Sequence, residues 1–401
     1  MTDHTPTPAT DDSDDHAGLD RRRLLKIGGM SAAALSLGAA GASVDEPPVE
    51  ATTRPRRLRF NRDGAFKIVQ FNDTQDDENL DRRTTELMEK VLDAEEPDLV
   101  VHNGDNITGG CDTPREMRQA MNNIVLPMED RGIPWAITFG NHDEDSTPSS
   151  GLDEADMLRF YRSYRYNVNP PNLRGLTGTG NSNLLIAGSA GNQPAFNLWF
   201  LDSGRYAPKT IAGQDFEGYP TWDWIRMDQV AWYDARSREL SGQHGGPIPA
   251  LMFMHIPLWE YKFMWYASVD SRTDADHARA VAKHAIVGEK NENESTGPFN
   301  SGMFSAILHS GDVKGVFCGH DHVNTYVGDY YGVLLGYAGN TGFGTYGLEG
   351  AERNRLRGAR VYNLDENSTD VLVETHMVFA ADYGIDLTPD DQSVPPAPLR
   401  R

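Results

Sequence analysis

The sequence predicts an α/β fold, and three observations carry that reading. Apolar runs of strand length alternate with segments of helical periodicity, the first units follow the order β-α-β-α-β, and the strand runs stop at polar clusters. Phe66 to Phe71 is the first strand. Leu80–Glu95 follows as a helix, with Leu87, Met88, Val91 and Leu92 able to share a face. Pro97 opens the next unit, in which "DLVVHNGDN" is a continuous apolar strand and Pro114 to Asp130 a second helix. "IPWAITFGNHDED" is the third strand. Ligand sites in sheets of this kind lie beyond the carboxyl ends of the strands.

Residues 145–195 lose periodicity and fill with Asn, Gly, Tyr and Pro, which predicts an inserted loop region rimming a pocket. Regular order resumes with "FNLWFLDSG", a helix near Trp222–Leu240 and the strand "PALMFMHIP". Residues 259–297 are aromatic-rich and predicted irregular. A helix near Gly302–Ser310 leads into "VKGVFCGHDH", and "YGVLLGYAGN", "GARVYNLDE" and "TDVLVETHMVF" read as further strands. No internal repeat is visible.

The 401 residues carry a formal net charge of −22, and only 8 of the 37 basic residues are Lys. Such a surface repels phosphate backbones, so nucleic-acid binding is not expected. Excess acid with scarce Lys points to solubility in concentrated salt, where screening mutes self-repulsion. Cys111 and Cys318 cannot make a disulfide framework; a single bridge and two buried thiols are both open.

The chain opens with an acidic, Ser/Thr/Pro-rich stretch, followed by "DRRRLLKIGGMSAAALSLGAAGA". A basic cluster, a short apolar run and Ala40-Gly41-Ala42 make the layout of a signal peptide over residues 1–42. Arg21-Arg22-Arg23-Leu24-Leu25-Lys26 resembles the twin-arginine export signal, which implies the Tat translocase as a partner during export and a mature protein outside the cytoplasmic membrane. No Cys follows the apolar run, so no lipid anchor is indicated. Residues 43–60 read as a linker, 61–380 as the folded domain and 381–401 as a tail.

Five strand runs end in Asp73, Asp105, Asn141-His142, His255 and His320-x-His322. Singly these are weak signals, since Gly104-Asp105 can be a turn and a lone His255 is more often structural. Together they suit a pair of divalent ions about 3.5–4 Å apart, which needs a bridging carboxylate and hard or borderline ligands on both sides. Such a pair lowers the pKa of a bound water and binds the phosphoryl oxygens that carry charge in phosphoryl transfer.

These blocks resemble the calcineurin-like metallophosphoesterase superfamily, whose pattern is D-x-H, G-D, G-N-H-D/E, H and G-H-x-H. "GNHDED", "FLDSGRY", "YPTWDWIRMDQVAWY", "FMHIPLWEY", "NSGMFSAILHSGDVKGVFCGHDHVN" and "YAGNTGFGTYG" are most similar to its small purple-acid-phosphatase-like branch of plant and fungal relatives, over roughly residues 64–365. The resemblance implies a four-layer α/β (α+β) sandwich, two central mixed β-sheets flanked by helices, with two metals at one edge. It places Asp73, Asp105 and His322 on the first metal, and Asp105, Asn141, His255 and His320 on the second. His142 is implied as the group beside the leaving-group oxygen, and Asp143 as the residue that orients it. The ions are divalent, from among Mn, Fe, Zn, Mg and Ca.

The superfamily pattern has His where this chain has Gln75. Purple acid phosphatases proper offer instead a Tyr three residues after the bridging Asp, and here Thr108 holds that place. Gln75 can ligate through its amide oxygen, which favours Mn²⁺, Mg²⁺ or Ca²⁺; alternatively it holds a water, or Asp76 or Asp77 substitutes. The expected function is an exported, metal-dependent hydrolase of phosphate monoesters. A phosphodiesterase or nucleotidase with the same site is the enzymatic alternative, and a catalytically weakened metal-binding scaffold the alternative of another class.

Overall fold

The computed structural model describes residues 57–219 and 221–400. The expected signal peptide and residues 43–56 of the expected linker lie outside the described residues. Of that linker, residues 57–60 are described, and they are packed rather than free: Leu58 and Phe60 are buried in the core. No helix among the described residues is long and apolar enough to cross a membrane.

The first half runs β1 (Ala65–Phe71), α1 (Arg82–Glu95), β2 (Leu99–Asn103), α2 (Pro114–Arg131), β3 (Trp135–Thr138), α3 (Thr147–Ser150), α4 (Glu154–Tyr161), β4 (Ser182–Ala187) and β5 (Pro194–Phe200). A small ribbon, β6 (Thr210–Ile211) and β7 (Gln214–Asp215), precedes α5 (Met227–His244) and β8 (Ala250–Phe253). Then come α6 (Glu260–Tyr266), α7 (Asp274–His284), α8 (Met303–Ser310), β9 (Val313–Cys318), β10 (Val327–Tyr330), β11 (Val333–Tyr337), β12 (Gly358–Asp365) and β13 (Leu372–Phe379).

Two mixed sheets result. One has the order β13-β12-β1-β2-β3, the other β10-β11-β9-β8-β5-β4. Strands β1 to β3 are parallel, as are β5, β8, β9 and β11, while β12, β13, β4 and β10 pair antiparallel.

Side-chain alternation along the strands explains why the sheets stack. Phe66 and Ile68 of β1, Leu99 and Val101 of β2, Leu251 and Phe253 of β8 and Phe317 of β9 meet in one apolar layer between the sheets. The alternate residues Val69, Phe71 and Val100 face a second core made with α1, α2 and α4. Met252, Val316 and Cys318 face a third, made with helices of the other flank. Helices therefore cover both outer faces, and the four-layer expectation holds. Cys111 and Cys318 are free, buried and in different cores.

Two stretches expected to be irregular are not. Residues 145–195 contain α4, capped by Asp153 and burying Met157, Leu158 and Tyr161, and also β4, which pairs with β5 as an edge strand. Residues 259–297 contain α6 and α7, the latter started by a reciprocal cap between Thr273 and Asp276. Short helices bury few apolar residues, so their period is easily lost among loop-forming neighbours. The helix expected from Trp222 starts at Met227, after Arg226 N–H donates to the Gln229 side chain at 2.7 Å.

The C-terminal residues are tied back onto α1. Asp81, the N-cap of α1, accepts from Arg83 N, Nε and Nη2 and from Gln392 N, at 2.7 to 3.1 Å. The Arg83 guanidinium also donates to the carbonyls of Asp386, Thr388 and Asp390. Burial works to raise the Asp81 pKa, but the Arg83 hydrogen bonds and charge outweigh it and hold the carboxyl below its ordinary range.

A group depressed in this way stabilises the fold above its unfolded-state pKa and loses that contribution as pH falls through the folded value. Asp81→Ala is expected to cost about 3–5 kcal/mol near neutral pH. The gap from the unaltered protein should close below about pH 4. Denaturant titrations across pH read both.

Candidate metal centre

The expected site residues come from the carboxyl ends of β1, β2, β3, β8 and β9, which are neighbours within their sheets. Turning the chain sharply after each strand puts several of them in the left-handed region: Asp73 has φ +50°, Gln75 +37°, Asp105 +48° and His320 +74°. Such conformations cost non-glycine residues about 1–3 kcal/mol each and persist only where the surroundings over-determine them. Glycines let the loops close. A β-carbon on Gly140 would lie 2.3 Å from Asp105 Oδ1, and one on Gly104 (φ +86°) 2.6 Å from the His255 ring.

Two donor sets are assembled. Asp105, His255 and His320 form one, and Asp73, Asp105 and His322 the other; within each, the candidate ligand atoms lie within 4.8 Å of one another. Asp105 belongs to both, the property a bridging carboxylate needs. Its Oδ2 is 3.0 Å from His255 Nε2, while Asp73 Oδ1 is 3.3 Å from His322 Nε2 and 3.7 Å from His255 Nε2.

The imidazoles are oriented from behind. His255 Nδ1 lies 2.9 Å from the Asn103 carbonyl, which puts a proton on Nδ1 and turns Nε2 toward the carboxylates. His322 Nδ1 lies 3.3 Å from the Tyr346 carbonyl, and the Tyr346 ring stacks on the imidazole at 3.9 Å. The His320 ring packs edge-on against Trp222 at 4.5 Å, and its backbone N–H donates to Asp73.

Burial pushes the carboxyl pKa values of Asp73 and Asp105 upward, but His255 beside both holds them below the ordinary range. Burial likewise opposes charge on His255, yet Asp105 and Asp73 push its pKa up to about 10. His320 is driven far below its usual value by burial and by the neighbouring His255, which keeps it a neutral lone-pair donor.

The residues present fit a pair of cations. His320 Nε2, Asn141 Oδ1 and Gln75 Oε1 are buried without a hydrogen-bond partner. Unmet acceptors at this density are costly in an ordinary core. Clustered around two carboxylates, they make a set of oxygen and imidazole donors suited to borderline or hard divalent ions. Gln75 Nε2 donates to Asp105 Oδ2 at 3.2 Å, so this side chain lies against the bridging carboxylate. Asp76 does not substitute for it. Its carboxylate is turned to Thr84 Oγ1 and Asp81 N, and burial pushes its pKa up to about 7. Asp77 accepts from Asn79 N.

His142 sits at the rim, a third exposed, with its backbone N–H donating to Asp105 Oδ1 at 2.7 Å. The expectation that Asp143 orients it is not met. Asp143 is buried beneath the site and accepts from the backbone N–H groups of Gly140, Asn106 and Ile107. Burial and the charge of Asp105 push its pKa up to about 7. The two loops need those acceptors, and the side chain points inward to supply them. The partner of His142 is instead Asp145, whose Oδ2 lies 2.5 Å from Nδ1. Burial disfavours charge on His142, but the Asp145 hydrogen bond and Asp105 raise its pKa above the ordinary imidazole value.

The sequence reading assigned no role to Asp145, Arg205, Trp222 or Tyr346, all of which contact site residues. The signal for Asp145 was available: it lies three residues after His142 within "GNHDED", a spacing that meets across one turn.

Residues 66–324 match the family described as calcineurin-like phosphoesterase. "Probable inactive purple acid phosphatase 29" of Arabidopsis thaliana is 35% identical over 348 residues, covering 80% of this chain and 82% of that protein. "Probable inactive purple acid phosphatase 14" of the same plant is 33% identical, covering 74% and 76%. "Phosphatase DCR2" of Saccharomyces cerevisiae is 29% identical, covering 80% of this chain and 55% of its own length. A dimetal phosphatase structure from Danio rerio superposes with a TM-score of 0.45 at 13% identity, covering 79% of this chain and 99% of that one, too loose a likeness to bear on the site. By the extent of the family match and the identity to its plant relatives, the chain belongs to the calcineurin-like phosphoesterase family.

Proposed function

We propose that this protein is an exported, metal-dependent hydrolase of phosphate monoesters. The observation that carries the reading is the pair of donor sets sharing Asp105, surrounded by buried ligand atoms that no other group satisfies. Asp73, Asp105 and His322 would hold one ion, and Asp105, Asn141, His255 and His320 the other, with Gln75 Oε1 a weak additional oxygen. When bound, the ions would polarise phosphoryl oxygens and make a water acidic enough to attack near neutral pH.

The chain's own groups supply the rest. His142, beside Asp105 and paired with Asp145, is placed to give a proton or a positive charge to the departing oxygen. The Nδ1 contacts of His255 and His322 keep their Nε2 atoms turned inward. Export through the twin-arginine route, with ions loaded before translocation, and a surface adapted to concentrated salt belong to the same reading. They rest on residues 21–42 and on the net charge of −22. A phosphodiesterase or nucleotidase would use the same groups, with the loops around the site deciding between them.

One observation favours a weakened metal-binding scaffold. Gln75 lies against Asp105 where the family pattern has His, and the plant relatives are named probable inactive. The full set of Asn141, His142, His255, His320 and His322 weighs the other way.

Hydrolysis of an aryl phosphate monoester by the purified mature protein in molar salt, with and without Mn²⁺, decides between these. Metal-dependent turnover is expected; its absence with every divalent ion tried would favour the phosphodiesterase first, and the scaffold if a diester is not cleaved either. His142→Ala should lower kcat by about 10²–10⁴-fold with bound metal unchanged. Gln75→His should tighten metal binding about 10-fold, read as ion content after dialysis against a weak chelator.

A further inference from the structure

The loop that carries Asn141 and His142 is held from outside by the guanidinium of Arg205. Arg205, from the "FLDSGRY" segment after β5, donates through Nε to the carbonyl of Asn141 at 2.9 Å. Its Nη2 donates to Asp145 Oδ1 at 2.6 Å, and Nη1 lies 3.5 Å from Glu144 Oε2. Asp145 has one carboxylate oxygen left, and that oxygen meets His142 Nδ1 at 2.5 Å. The chain of contacts thus runs from Arg205 through both oxygens of Asp145 to the imidazole. A second arm runs from the same guanidinium to the backbone of a candidate metal ligand. About a quarter of each side chain in the Arg205–Asp145 pair is exposed, so the pair is shielded from salt more than a surface bridge is.

The geometry points to Asp145 and Arg205 as positioning residues for the proposed hydrolysis. Asp145 would fix the ring orientation and Nδ1 proton of His142, and Arg205 would fix Asp145 and the Asn141 carbonyl together. This rests on the phosphohydrolase reading above for its kinetic consequence, but the orientation itself does not depend on turnover.

The division of labour follows from the atoms. An imidazole whose Nδ1–H is held by a carboxylate has Nε2 as the atom available to a leaving group. A carboxylate gripped through its other oxygen by a guanidinium cannot rotate away from the ring. Arginine suits the grip because its planar fork reaches two acceptors at fixed spacing, a geometry that the compact ammonium of lysine on its flexible stem does not hold. Asparagine at 145 keeps the shape but loses the charge, and its NH₂ group faces either the Nδ1–H of His142 or the donors of Arg205. Asp143 cannot take over, since its oxygens are committed to the backbone of Gly140, Asn106 and Ile107.

The test is a cycle of His142→Ala, Asp145→Asn and the double variant in the full metal-supplied protein, with Arg205→Lys alongside. Asp145→Asn is expected to lower kcat about 10- to 100-fold with KM and metal content little changed. In the double variant the loss should be no greater than for His142→Ala alone, because a positioning residue has nothing left to position. Arg205→Lys should fall between the unaltered protein and Asp145→Asn.

Additive losses in the double variant, or an Asp145→Asn enzyme at full rate, would overturn the proposal. If the unaltered protein turns over no phosphate ester, the functional reading fails and the orientation is read directly. Ring ¹⁵N spectra of His142 with Mg²⁺ added should show a protonated Nδ1 that shifts in Asp145→Asn. An unchanged ring spectrum in that variant would overturn the positioning role by itself.

Discussion

The fold turns on one carboxylate. Asp105 leaves β2 at the junction of two sheets and is approached by His255 from the other sheet, by Gln75 from the β1 loop and by the backbone of His142 from the β3 loop. His255 and Gln75 meet its Oδ2 and the His142 N–H meets its Oδ1, each from a separate strand end. A carboxylate buried without partners would cost several kcal/mol or take up a proton. The strand ends must therefore converge within ångströms for the charged form to persist. Gly104 and Gly140 are small for this reason, because any side chain at either would meet Asp105 or His255.

Convergence has a cost elsewhere. Four site residues hold left-handed backbone, and several candidate ligand atoms among and around them, such as Gln75 Oε1 and His320 Nε2, lack hydrogen bonds. Neither feature helps a stable core. The three apolar layers of the sandwich, which grip β1, β2, β8 and β9 from both faces, are what hold the turns in place. Fold and site are coupled in this physical sense. The sheets supply rigidity and the strand ends spend it on geometry that a loop alone would not keep.

What was legible in the sequence follows the same line. Strands buried on both faces read as continuous apolar runs, so β1, β2, β8 and β9 and the polar residues at their ends were all visible, and with them every member of both donor sets. Short elements whose apolar faces are two or three residues wide were not: α4, β4, α6 and α7 lay hidden in segments of loop-like composition. Side-chain direction was the second blind spot. "GNHDED" offers three acids after His142, and the family resemblance implied Asp143. Only the structure shows that the backbone N–H groups of Gly140, Asn106 and Ile107 claim it.

That displacement bears on the substitution at position 75. On the phosphohydrolase reading proposed above, an amide in place of a histidine donor would weaken metal capture, while Asp145 and Arg205 would still hold His142. Drift toward a scaffold removes constraints in no particular order, and a partly buried relay of two charged side chains has little need to survive for stability alone. Its intact geometry here, with Arg205 tied both to Asp145 and to the Asn141 carbonyl, is better accounted for by a reaction that needs the imidazole held than by a fold that merely tolerates it. On this view the change at Gln75 tunes which ion the first site accepts rather than whether the centre works, since an amide oxygen is a poor ligand for soft ions and an adequate one for hard ones.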